Sequence, residues 1–329
     1  MKHDQAVSAL TLLAPGIMSL LQDKGRLGQA HLGLTQGGPA DSLAFDYANR
    51  LLANDKGTTA LEISIGGTKL RCDHGCQIAI TGAKAGVKIN NMPAAQWSVL
   101  TLQKGDHIEI GYAEAGCRIY LAVKGGFVVK PQLGSTSTVL RERMGGYDGN
   151  ALGANQCLFI KPTSLVPTVE LPQAYIPTYP DELSLRVVIG YQYEYFPSLQ
   201  RRRFFSGRYK VTKQADRMGY RLSGPTIEYP SRALYSEGVC AGAIQIPPDG
   251  QPIVLGADKQ TMGGYPKIGS LLSLDLNQLM QASTGAVVTF TPITIEDAHA
   301  LLALHRCREV PLIRGSSKNA QLPHKQEAT

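Results

Sequence analysis

Apolar and polar positions along this chain change over in short runs. TALEISI (59–65), QIAIT (77–81), WSVLTL (97–102), HIEIGY (107–112) and CRIYLAV (117–123) are β-branched or alternating and bounded by Gly, Asn or Asp. Such runs predict short, half-buried strands. The same texture returns at LRVVIG (185–190), AIQI (243–246), PIVL (252–255) and AVVTFT (286–291). Two segments carry helical spacing instead. Leu43, Ala44, Tyr47, Ala48, Leu51 and Leu52 form an i, i+4 stripe just after Pro39 and Asp41, which predicts a helix opening near Asp41. Thr294 and Asp297 stand at capping-box spacing before Leu301, Leu302 and His305, predicting a second helix. The fold class is mainly β with a few helices, and barrels fit better than a doubly wound sheet.

The chain divides around prolines 162, 167, 172, 177 and 180. Residues 161–184 lack periodicity and read as a stiff, extended linker. It joins a first barrel over 1–160 to a second over 185–313, with 314–329 as a flexible polar tail. A short echo links the halves: QDKGRLG at 22–28 and QADRMGY at 214–220 share a Gln, an Asp and an Arg-x-Gly. It falls at matching places, favouring two related barrels.

Composition fits this picture and removes some functions. The 329 residues suffice for two cores, and 35 glycines with 19 prolines imply many turns. The net charge of +7 is spread out, and the one basic run, Arg201-Arg202-Arg203 before Phe204-Phe205, is what a solvated helix or turn face shows. Nucleic acid is therefore not an expected partner. No apolar run approaches bilayer length and no signal peptide is evident, so no membrane and a cytoplasmic location are expected. Of six cysteines only Cys72 and Cys76 are close, with His74 between them in CDHGC. No second ligand pair accompanies them, so the expected metal complement is none.

The tract Ser236–Gly269 concentrates the candidate chemistry. It holds seven glycines and four prolines but only five charged residues, with Gln245, Gln251, Asp258 and Gln260 spaced along it. Glycine admits close approach of a ligand, and proline fixes neighbouring polar groups. A rigid polar site and a set of tight hairpins are both compatible with that composition. There is no Gly-Lys dipeptide, no G-x-S-x-G, no H-E-x-x-H and no Met-Lys-Met. If the chain takes part in ATP or biotin chemistry, another chain must supply those parts.

QDKGRLG (22–28), GGPADSLAFDYANRLL (37–52), ALEISIGG (60–67), TGA (81–83), YLAVKGGF (120–127), QADRMGYRLSGPTI (214–227), SEGVCAGAIQIPPDGQPIVL (236–255) and DKQTMGGYPKIG (258–269) together resemble the allophanate hydrolase subunit 2 or KipA-like family, also called biotin-dependent carboxyltransferases. Within it the chain is most similar to the C subunit of 5-oxoprolinase. The resemblance implies two cyclophilin-like β-barrels. It further implies an ATP-hydrolysing complex with a KipI-like B subunit and a lactam-opening A subunit. That complex opens 5-oxoproline, a small lactam, to glutamate, and the chain alone is expected to be inactive and to bind no cofactor. Relatives also act as carboxyltransferase components beside biotin in urea carboxylation, or as non-enzymatic partners of a kinase inhibitor.

Opening an amide requires fixed donors for the charge developing on its oxygen. The resemblance marks Asp258, Lys259, Gln260 and Arg217 as candidate catalytic residues. It marks Gln245, Gln251, Tyr265, Lys267, Gln214, Arg26 and Asp41 as candidate substrate-binding residues, with Gln22, Asp23, Asn49 and Glu62 as matching polar positions of the first half. Asp41 is equally explained as a helix cap, and Arg217 as a loop brace. The chain departs from the family pattern at Lys259 and Met262, in 149–156, and at Tyr191 after Gly190, where proline is common.

Overall fold

A computed structural model describes residues 6–229 and 234–315. Nine strands build the first half: β1 (Val7–Pro15), β2 (Met18–Gln22), β3 (Ala60–Ser64), β4 (Gly66–Cys72), β5 (Cys76–Ile89), β6 (Met92–Ala94), β7 (Val99–Leu102), β8 (His107–Val123) and β9 (Gln156–Ile160). They form one curved sheet in the order β2-β3-β8-β4-β1-β9, with β5 bridging β6, β7 and β8. The sheet is a half-barrel. Helix α1 (Ser42–Leu51) covers one face. Its buried side, Ala44, Phe45, Ala48 and Leu51, packs with Trp97, Val99 and Tyr120.

HIEIGY and CRIYLAV, expected as two strands, are one strand of 17 residues. Its first part pairs with β4 and its last part with β3. Register shifts along the partner strand β5 let the pair bend between them. Gly82 sits at one of these shifts with φ +89°, and a Cβ there would lie 2.2 Å from the Arg118 carbonyl. No other residue fits that approach.

After β10 (Val169–Glu170), the second half runs through β11 (Glu182–Ile189), α2 (Ser198–Ser206), β12 (Tyr209–Ala215), β13 (Gly219–Ser223), β14 (Glu237–Gly238), β15 (Ala243–Gln245), β16 (Ile253–Leu255), β17 (Met262–Gly263), β18 (Lys267–Leu271), α3 (Ser273–Leu279), β19 (Val287–Ile293), α4 (Ile295–Cys307) and β20 (Ile313–Arg314). Seven of its strands close a barrel in the order β11-β18-β15-β16-β13-β12-β19. Inward residues such as Leu185, Val187, Tyr220, Ile244, Val254, Val288 and Phe290 fill it. The predicted mainly β, two-barrel architecture is present, with full closure only in the second half.

Both predicted helix starts are in place. Asp41 accepts from the Leu43 and Ala44 amides, and Thr294 from the Asp297 amide. The basic run lies on α2, which the strand-dominated pattern concealed. Arg201 pairs with Glu194 and lies over Tyr193, while Phe204 stacks on Phe290 at 4.6 Å in the core.

The proline-rich segment is more than a connection. It contains β10, which pairs with β20, and Glu170 bridges to Ser98. Leu171 is buried with the α1 cluster, and Tyr179 donates to Asp41. Its scattered apolar residues pack on the first half, which periodicity cannot reveal. Arg314, the first residue of the expected tail, lies in β20; 316–329 lie outside the described residues. In CDHGC, Cys72 ends β4 and Cys76 opens β5, so the three side chains do not share one strand face.

Candidate functional site

The charged centre of the molecule lies where the two halves meet. Arg217, 4% exposed, follows β12, where the 216–218 turn pairs with 256–258 through Asp258 N–H to Arg217 and Gly256 N–H to Met218. Its Nε and Nη2 donate to the two carboxylate oxygens of Asp258 at 2.8 and 2.7 Å. Its Nη1 reaches Glu62 of β3 at 2.5 Å, and Nη2 also donates to the Gly38 carbonyl at 2.6 Å. One guanidinium thus holds a carboxylate from each half. Its planar fork suits that task.

Glu62 also accepts from the Tyr120 hydroxyl at 2.8 Å and the Ala40 amide at 2.9 Å. Burial pushes its carboxyl up, but Arg217, Arg118 and these donors hold it below its ordinary value. Burial pushes Asp258 up against the pull of Arg217. For Arg217 burial favours the neutral form, and Asp258 with Glu62 reverses that and keeps it charged.

A second bond set closes the seam. Gln281, 1% exposed, accepts from the Cys117 and Arg118 amides at 2.9 and 2.8 Å. It donates to Asp41 at 2.8 Å and to the Arg118 carbonyl at 2.9 Å. All four hydrogen-bonding positions of the amide are used. Nothing in the local pattern around Gln281 sets it apart from a surface glutamine.

These contacts correct several sequence expectations. Arg217 and Asp258 are spent on each other and on Glu62, so neither is an open donor or acceptor. Asp41 caps α1 and binds Gln281 and Tyr179. Arg26 is buried and donates to the Gln132 and Ser137 carbonyls. Gln251 pins the Gly224–Thr226 turn, and Gln214 lies exposed on β12. Asn49 binds the Thr58 carbonyl and Asn54, and Gln22 donates to the Thr138 carbonyl. Asp23 accepts from Gly25, Ser135, Thr136 and Ser137.

What stays open lies next along the chain. The Lys259 ammonium is half-buried, makes no hydrogen bond or ion pair among the described residues, and burial lowers its pKa. Its carbonyl accepts from Thr35 of the first half at 3.2 Å. Gln260 is half-buried and Tyr265 is 46% exposed. Gln245, 2% exposed, has an Nε2 without a partner. It lies beneath Gly263, whose Cβ would stand 2.5 Å from that nitrogen. Lys267 pairs with Glu237 at 2.6 Å. One pre-formed cavity, lined by Val188, Ile189 and Pro292 to Ile295, flanks α4 instead.

The family pattern described as "Carboxyltransferase domain, subdomain A and B" matches residues 32–292, spanning both halves and the seam. The chain belongs to this carboxyltransferase-domain family. It is 32% identical over 282 residues to the C subunit of 5-oxoprolinase from Haemophilus influenzae, covering 85% of this chain and 90% of that one. The Escherichia coli protein of the same name is 31% identical over 290 residues, covering 88% and 93%. The chain also matches urea amidolyase of Lachancea kluyveri at 30% identity over 327 residues, but spans only 18% of it. Among solved structures, urea amidolyase of K. lactis superposes with a TM-score of 0.86 at 28% identity, over 93% of this chain and 20% of that one. Among the described residues no helix is long and apolar enough to cross a membrane.

Proposed function

We infer that this carboxyltransferase-domain chain is the C subunit of a 5-oxoprolinase. The observation that carries the reading is similarity to two 5-oxoprolinase C subunits over at least 85% of both chains, joined to a seam that leaves Lys259 unpaired among the described residues. In the assembled complex, water adds across the lactam C–N bond of 5-oxoproline and yields glutamate, with ATP hydrolysis as the driving reaction. The chain has no Gly-Lys phosphate loop, so ATP is handled on a KipI-like or lactam-opening partner.

This chain's residues divide into two roles. Arg217, Glu62 and Asp258 position the 258–260 loop against the first half. Lys259 and Gln260 present donors toward the lactam oxygen as it gains charge. Burial around Lys259 strengthens that interaction, because the ammonium has no carboxylate to satisfy it first.

Co-expression with the two partner chains tests the reading: 5-oxoproline should disappear and glutamate accumulate with stoichiometric ADP. An assembled three-chain complex that turns over no 5-oxoproline overturns it. The superposition on urea amidolyase favours a second reading, a carboxyltransferase component working beside a biotinylated chain. Co-purification of a biotinylated partner would select it.

A further inference from the structure

Beside the seam, the β14–β17 ribbon lies on the barrel wall, with Glu237 opposite Gly263 and Gly238 opposite Met262. Val239, Ala243 and Leu255 form a small apolar patch there. Four donors or cations gather under and beside this ribbon. The Lys267 ammonium lies 2.6 Å from one Glu237 oxygen, and the Gln192 amide donates to that same oxygen at 2.7 Å. The Tyr191 hydroxyl donates to the other oxygen. Gln192 is itself fixed, because its Oε1 accepts from the Lys267 amide at 2.7 Å. The fourth is Gln245 Nε2, buried under Gly263 without an acceptor.

An ammonium, an amide and a phenol converging on both oxygens of one carboxylate make a carboxylate-binding site. Glu237 belongs to a ribbon only two residues long on each strand, the kind of element that opens at low free energy. The buried Nε2 of Gln245 marks a second acceptor position that the chain itself leaves unfilled, and a buried donor in that state is unfavourable until an acceptor arrives. Tyr191, a departure from the family pattern, supplies one of the donors.

We propose that Tyr191, Gln192 and Lys267 recognise the carboxylate of a small carboxylated lactam or amide, that Gln245 takes its second polar oxygen, and that Glu237 occupies the carboxylate position until the ligand displaces it. Glu237 is then an internal competitor, and the β14–β17 ribbon is the element that yields. The inference deepens the 5-oxoprolinase reading, since 5-oxoproline carries a carboxylate and urea carries none.

The test is binding to the full chain, alone and in the three-chain complex, by saturation-transfer NMR and calorimetry. The probes are 5-oxoproline and 2-pyrrolidinone, the same lactam without its carboxylate. Selective binding of 5-oxoproline is expected. Glu237→Gln should tighten it about tenfold by weakening the competitor, and Lys267→Met should weaken it at least tenfold. Gly263→Ala should also weaken it by crowding Gln245. Because Glu237→Gln is near-isosteric and predicted to gain affinity, misfolding cannot imitate its effect. Equal binding of both probes overturns the proposal, as does no binding to either form, or affinities unchanged by E237Q and K267M. Turnover of 5-oxoproline with unchanged KM in both variants would overturn it while leaving the 5-oxoprolinase reading intact. Selective, Lys267-dependent binding by a complex without turnover would uphold it and remove that reading.

Discussion

Replacing Arg217 by methionine isolates the seam's central interaction. The substitution preserves much of the side chain's apolar length but leaves two buried carboxylates, Glu62 at 1% and Asp258 at 7% exposure. They are not equally harmed. Glu62 keeps Tyr120, the Ala40 amide and the nearby charge of Arg118. Asp258 loses both of its side-chain hydrogen bonds, since Arg217 donated both. Removing one member of a buried ion pair costs about 3–5 kcal/mol, and the structure puts most of that on Asp258. We expect a loss of about 4 kcal/mol at pH 7, or roughly 8 °C in Tm at about 2 °C per kcal/mol for a chain of this size.

The pH dependence has a definite sign. A carboxyl whose folded pKa is raised destabilises the fold above its unfolded value, and the penalty shrinks as protonation proceeds. The deficit of Arg217→Met should therefore narrow on going from about pH 7 to about pH 5.5. Adding Asp258→Asn should recover most of it, because the worst-placed charge is gone. Arg217→Lys should recover little, as an ammonium cannot serve both carboxylates. The assay is urea unfolding followed by circular dichroism, comparing midpoints at constant slope. A loss below about 1 kcal/mol, or an R217M/D258N double variant less stable than R217M, would falsify the assignment of the seam's stability to this triad.

Lys259→Met should lower turnover of the assembled complex at least tenfold with Tm changed by less than about 2 °C, since no carboxylate depends on the lysine; parallel loss of both would instead make it structural. Thr294→Ala, read by thermal unfolding, should cost about 1 kcal/mol through loss of the α4 cap, and Thr294→Ser almost nothing. Asp23 is held below its ordinary 3.8 despite burial by Ser135, Thr136, Ser137 and Gly25. Its contribution is present above that value and lost as pH falls through the folded pKa. Asp23→Asn should flatten the acid limb of the stability curve, and an unchanged limb refutes the assignment.

The strand pattern carried most of the fold because the longer strands each bury a face, and β3, β5, β7, β11 and β19 fall on the apolar runs that predicted them. Elements whose burial is not periodic escaped. Helix α2 shows charge where Arg201 and Arg203 meet solvent, and hides the inward Phe204. The proline-rich segment buries isolated residues such as Leu171. For the site, the opposite holds. Family motifs led to Arg217, Asp258 and Glu62, but residue type cannot show whether a charged side chain faces a ligand or another charge, and here they face one another. Gln192 and Gln281 were invisible because a buried amide has no sequence signature; their partners lie 75 and 164 residues away.

The pairing of β20 with β10 bears on how the protein emerges from the ribosome. Val310 and Leu312 pack into the cluster around α1 and Trp97, so a wall of the first half is supplied by residues made after the entire second barrel. The first half can curl its sheet early, but the cluster around Leu171 and Trp97 stays incomplete until the segment after α4 has been made. That interval is when a chaperone, or a partner chain already folded, has access to a surface the finished protein conceals.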